Sequence, residues 1–105
     1  MDKNPTLSNK EALIMELLMQ RQAEDLYGLE LVRRSGNLLK RGTIYVTLSR
    51  LEDKGFIESR QENKQHDVPG IPRRLYKATA YGRRIYELLQ QARDAKQLFA
   101  AARAI

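Results

Sequence analysis

Residues 41–60 read RGTIYVTLSRLEDKGFIESR, and the hydrophobic period changes within this one stretch. Ile44, Leu48 and Leu51 recur at helical spacing, and Gly55 supplies the stop, so a helix is predicted from about Arg41 to Lys54. Phe56 to Gln61 then read as a strand. Setting Ile44, Leu48 and Leu51 inward at about 3.6 residues per turn turns Gly42, Thr43, Val46, Ser49 and Arg50 outward. Tyr45 and Thr47 fall on the flanks. The inward face is aliphatic, whereas the outward face is small, polar and basic.

Upstream, Ser8 and Glu11 have the spacing of a capping box, with Leu7 placed to staple the first turn. Leu13, Ile14, Leu17 and Leu18 then form one stripe of a first helix that fades near Arg21. Asp25 is the expected N-cap of a second helix with Leu26, Leu29 and Val32 on its inner face. Gly36 ends it, just after Arg33 and Arg34. Gly28 lies within that helix at a cost of about 1 kcal/mol relative to alanine; a glycine permits close helix approach, which the sequence by itself does not show.

Downstream, Arg73 to Ala78 form a second strand, with the polar segment Glu62 to Pro72 as a long hairpin tip containing Pro69, Gly70 and Pro72. Thr79 caps a last helix. Its apolar positions, Ala78, Tyr81, Ile85, Leu88, Ala92, Ala95, Phe99 and Ala102, alternate steps of three and four, and Leu89, Leu98 and Ile105 widen the stripe. So long a seam exceeds what one thin core can cover. Ile85, Leu88, Leu89, Ala92, Ala95, Phe99 and Ala102 are therefore assigned to a homodimer interface.

Three helices, a two-stranded hairpin and a long helix make a mostly α (α+β) chain with the order of a winged helix-turn-helix. Residues 1–79 would form the DNA-binding domain and 80–105 the dimerisation helix. In that arrangement the third helix enters the DNA major groove. Val46 can touch a thymine methyl, Thr43 and Ser49 can hydrogen-bond bases or phosphates, and Arg50 can read guanine or grip phosphate. Arg41 and Gly42 bring a cation and bare backbone donors toward phosphate. In the wing, Lys64, His66, Arg73 and Arg74 can reach phosphate or a minor groove, while Glu62 and Asp67 dilute the field.

Composition narrows the function classes. Nineteen Lys and Arg against thirteen Asp and Glu give a net charge of +6, which favours a polyanionic partner. With no cysteine and a single histidine, thiolate metal sites, disulfides and the common nucleophile–base pairs are excluded, so neither an enzyme nor a cofactor is expected. His66 reads as a surface residue. The polar start and the lack of a long apolar run lead us to expect a cytoplasmic protein. A winged helix that binds another protein stands as the alternative, although such a surface should expose more apolar anchors than this face supplies.

The segments LSNKEALIMELLMQRQAEDLYGLELVRRSG (Leu7 to Gly36), RGTIYVTLSRLEDKGFIESR (Arg41 to Arg60) and PGIPRRLYKATAYGRRIYELL (Pro69 to Leu89) resemble the PadR family of transcriptional regulators. The resemblance covers nearly the whole chain, and matches the compact subgroup with a single C-terminal helix. It implies a dimeric bacterial factor, usually a repressor, bound to operator DNA, with Thr43, Tyr45 and nearby basic groups as DNA contacts. It leaves room for a small-molecule effector of unidentified chemistry. Certain compact relatives hold flat aromatic drugs between tryptophans at the dimer centre. This chain has no Trp, so that form of ligand sensing does not transfer.

Overall fold

Seven elements follow one another along the chain, in a computed structural model that describes residues 6–20, 25–62 and 73–103. The capping box is formed as expected. The Ser8 N–H donates to Glu11 Oε1 at 2.8 Å and the Glu11 N–H to Ser8 Oγ at 3.1 Å. Helix α1, Asn9–Gln20, starts there and buries Ile14, Met15, Leu17 and Leu18. Glu11 is itself buried, and Lys54 Nζ reaches across to both its carboxylate oxygens at 2.9 and 3.0 Å, tying the start of α1 to the end of the third helix.

The second helix departs from expectation. Asp25 does not cap it, and Leu26 is not on it. Leu26–Tyr27 form a short strand, β1, and helix α2 is Gly28–Arg34. Two competing uses explain the shift. Leu26 pairs with Tyr76 in the sheet and is fully buried there, and the Asp25 carboxylate is taken by Arg60. Glu30 instead closes the helix start by accepting the Tyr27 N–H at 2.9 Å. The stripe rotates accordingly, so that Leu31 is buried and Leu29, expected inside, is 45% exposed. Ser35 then shapes the turn, its Oγ donating to Val32 O and accepting the Leu39 N–H.

Helix α3, Ile44–Asp53, is preceded by a turn over Arg41, Gly42 and Thr43, so it starts later than the sequence pattern indicates. Its inward residues Ile44, Leu48 and Leu51 are buried as expected, each contributing about 1.5–3 kcal/mol of apolar burial. Gly55, at φ 82°, ends it. Strands β2, Ile57–Gln61, and β3, Arg74–Ala78, pair antiparallel, with Ile57 opposite Ala78 and Gln61 opposite Arg74. Because β1 adds to the far edge of β3, the sheet has three strands in the order β1-β3-β2 rather than the two anticipated.

Thr79 caps the last helix as expected: its Oγ1 accepts the Gly82 N–H at 2.9 Å and donates to Gly55 O at 2.7 Å. Helix α4, Ala80–Arg103, follows β3 and is thereby pinned at its start to the α3–β2 turn. Ile85 and Tyr86 lean on the core, and the Tyr86 hydroxyl donates to Glu16. From Gln91 to Arg103 every residue is exposed. Among the described residues no helix is long and apolar enough to cross a membrane, and no cluster of His, Cys, Asp or Glu could hold a metal ion.

Candidate nucleic-acid interface

The exposed side of α3 carries the residues that its inward stripe leaves over. Tyr45 and Val46 are 51% and 54% exposed, and Ser49 and Arg50 are open to solvent beside them. Thr43 occupies the N-cap position, but its side chain makes no capping bond. Its carbonyl instead accepts both the Thr47 N–H and the Thr47 hydroxyl. Arg41 and Gly42 are exposed on the preceding turn. No atom lies within 4 Å of where a Gly42 Cβ would stand, so internal packing does not require glycine there.

The structure brings this helix together with the root of the wing. A groove of about 600 Å³ runs between Tyr27, Leu29 and Arg33 at α2, Tyr45 of α3, and Arg73 and Arg74 of the returning wing strand. Arg73 lies over the Tyr27 ring, 5.2 Å from its centroid. Arg74 reaches Ser59 Oγ through Nε and Nη2, and that hydroxyl donates to Glu52. The Tyr27 hydroxyl donates to Glu62, and this bond, with burial adding to it, raises the phenol above its ordinary value of 10. Lys64 and His66 lie outside the described residues.

Six residues lining this groove, Tyr27, Gly28, Leu29, Glu30, Arg33 and Tyr76, are not among the sequence-predicted site residues. Leu29 was assigned to the core and Arg33 to the helix end, and Tyr27 sits in a strand of only two residues, too short for any alternation to register. The interruption at Gly28 was the available signal. A Cβ there would lie 2.7 Å from Tyr45 Cε1, so glycine is what lets the α3 ring lie against α2.

On α4, the seven residues assigned to an interface fall into two sets. Ile85 and Leu89 are partly covered by their own domain, whereas Leu88, Ala92, Ala95, Phe99 and Ala102 are exposed.

The model of the transcriptional regulator PadR-like family matches residues 14–91, from α1 to the middle of α4. This chain belongs to the PadR-like family. Solved structures agree. A PadR family transcription regulator from Clostridium difficile is 32% identical, with a TM-score of 0.68 over 90% of this chain and 97% of that one. A PadR-like transcription factor from Bacteroides fragilis is 22% identical, with a TM-score of 0.72 over 89% of this chain and 87% of that one. A variant of MepR from S. aureus, solved bound to an oligodeoxyribonucleotide, is 17% identical, with a TM-score of 0.70 over 91% of this chain and 64% of that one. At such identity the last two share the fold alone. Among curated proteins, none matches. The winged-helix reading therefore stands, and this PadR-like chain is a transcriptional regulator by family.

Proposed function

We propose that this PadR-like protein is a cytoplasmic repressor that binds a pseudo-palindromic operator as a homodimer, with α3 in the major groove and the wing root on the flanking backbone. The observation that carries this reading is the shared groove. Tyr45 at the start of α3 and the cations Arg33, Arg73 and Arg74 line one groove, although they come from distant parts of the chain. A duplex presents base edges and two phosphate ridges at that scale, and a basic chain gains affinity by displacing counterions from them.

Within this reading Val46, Ser49 and Arg50 face the bases, while Arg41, Gly42, Thr43 and Tyr45 meet the backbone beside them. The open space at Gly42 supports close approach of a phosphate to bare backbone donors. Arg73 and Arg74 meet the adjacent backbone, with Lys64 and His66 assigned to the wing tip. Leu88, Ala92, Ala95, Phe99 and Ala102 form the seam with a second copy, with Ile85 and Leu89 at its edge. Exposed leucine and phenylalanine on a helix that its own domain does not cover support that assignment. The dimer would set two α3 helices at half-sites one helical turn apart or a multiple of it.

Selection from random duplex DNA, followed by titration of the enriched sequence at two salt concentrations, tests the proposal. A pseudo-palindrome bound by two chains with steep salt dependence is the expected result. Absence of enrichment, with weak binding at low salt, would overturn it.

A further inference from the structure

Three side-chain links join the segment leading into α2 to the root of the wing. The Asp25 carboxylate accepts from Arg60 Nε at 3.1 Å and Nη2 at 3.0 Å. Two residues on, the Tyr27 hydroxyl donates to Glu62, and the Arg73 guanidinium covers the Tyr27 ring. Glu62 and Arg73 face each other where the hairpin leaves the sheet, since the Glu62 N–H donates to Arg73 O at 2.8 Å. Tyr27 thus holds both arms of the hairpin at once, one through its hydroxyl and the other through its ring. The next residue along is Gly28, on whose backbone the Tyr45 ring rests. A continuous line of contacts therefore runs from the wing root through Tyr27 and Gly28 to the exposed face of α3.

We infer that Tyr27 is a positioning residue for duplex DNA: it fixes the wing root relative to α3, so that both can engage one duplex together. This role rests on the DNA-binding reading above. The pairing of Tyr27 with Leu75 already ties β3 to the segment before α2, and the Tyr27 side chain extends that tie past the last paired residues to Glu62 and Arg73, where a hairpin held by two strands alone would twist more easily. Once α3 is docked, the gain from a second contact depends on how often the wing is already in place. The link also governs charge. The phenol helps to hold the Glu62 carboxylate at the sheet, which limits how far its charge can swing toward a phosphate on this face.

Tyr27→Phe in the full chain is the test, because it removes one oxygen and keeps the ring under Arg73. Glu62→Gln keeps an acceptor for the phenol and removes the charge. Three readouts are compared with wild type: thermal midpoint, hydrogen exchange of the Glu62 amide, and affinity for the selected duplex and a scrambled one. Tyr27→Phe should leave the midpoint within a few degrees, accelerate Glu62 exchange, and weaken binding to both duplexes by about tenfold. Glu62→Gln should stay within about threefold of wild type in affinity. Wild-type affinity in Tyr27→Phe would overturn the role, whether or not Glu62 exchange changes. If Tyr27→Phe fails to fold, Glu62→Ala replaces it and must bind more weakly than Glu62→Gln, since both lack the charge and only the alanine loses the acceptor for the phenol. A wild type that binds no duplex would overturn the DNA-binding reading itself, and is told apart by that control.

Discussion

The Tyr45 ring lies against the backbone of Gly28 so closely that a Cβ on that glycine would stand 2.7 Å from Cε1 and 3.2 Å from the hydroxyl oxygen. Gly28→Ala must therefore push the ring outward. Tyr45 is half exposed and has room to move, and alanine is the better helix former, so stability should change by no more than about 1 kcal/mol in urea unfolding. Affinity for the selected duplex should fall by about tenfold, because the ring swings into the surface proposed for DNA. Unchanged affinity would remove Tyr45 from that surface.

Gly82 answers to a harder constraint. A Cβ there would stand 2.0 Å from the Phe56 carbonyl oxygen, and backbone cannot step aside as a ring can. Gly82→Ala should cost about 3 kcal/mol or more, measured by urea or thermal unfolding. Near-wild-type stability would mean that α4 can leave the domain along another path.

Acid should loosen the join between α1 and α3. Burial pushes the Glu11 carboxyl up, but the Ser8 N–H and hydroxyl and the Lys54 ammonium together hold it below its ordinary value of 4.5. A carboxyl depressed in the folded state stabilises fully above its unfolded value, and that contribution is lost as pH falls through the folded one. Stability should therefore drop below about pH 4.5. Glu11→Gln should flatten that acid limb and cost about 1–3 kcal/mol at neutral pH, since Lys54 keeps the Thr6 carbonyl but loses the opposite charge beside it. An unchanged acid limb in the variant would assign the acid sensitivity to other carboxyls.

Leu88 and Phe99 are 52% and 72% exposed in the single chain. Replacing both with serine should turn a dimer into a monomer in sedimentation, with a duplex affinity lower by about a hundredfold through loss of the linked second half-site. A variant that stays dimeric would move the seam elsewhere.

Arg50 and Arg73 should fail differently. Arg50→Ala is expected to cost about 1–3 kcal/mol on the selected duplex and to relax preference at one base position. Arg73→Ala should weaken binding to every sequence alike and lower the salt slope by about one. Equal losses on all duplexes for both variants would contradict the division between base and backbone contacts.

What the sequence disclosed follows from the length of each signal. Ser8 with Glu11, the Ile44–Leu48–Leu51 stripe, the stop at Gly55 and the Thr79 cap are local devices, complete within a few residues, and each forms as read. The family resemblance drawn from three segments likewise holds. The region around α2 did not read correctly because its partners are distant. Asp25 is claimed by Arg60, Leu26 by Tyr76, and the Tyr27 hydroxyl by Glu62. An Asp before an apolar run looks like a cap until a guanidinium thirty-five residues away competes for it. For the same reason the groove is only partly legible in the sequence, with Tyr45, Arg73 and Arg74 anticipated and Tyr27, Leu29 and Arg33 not.

The close seating of Gly82 on Phe56 makes α4 a stiff lever. At about 1.5 Å per residue the helix extends roughly 32 Å beyond that pivot, from Gly82 to Arg103. A tilt of about 5° at the pivot carries the far end through about 3 Å, close to one base-pair step of a duplex. In the dimer proposed above, the span between the two α3 helices would thus be set at a glycine and a carbonyl near the start of the helix. Small changes in packing around Phe56 would retune which operator spacings fit, with no alteration to any residue that touches DNA.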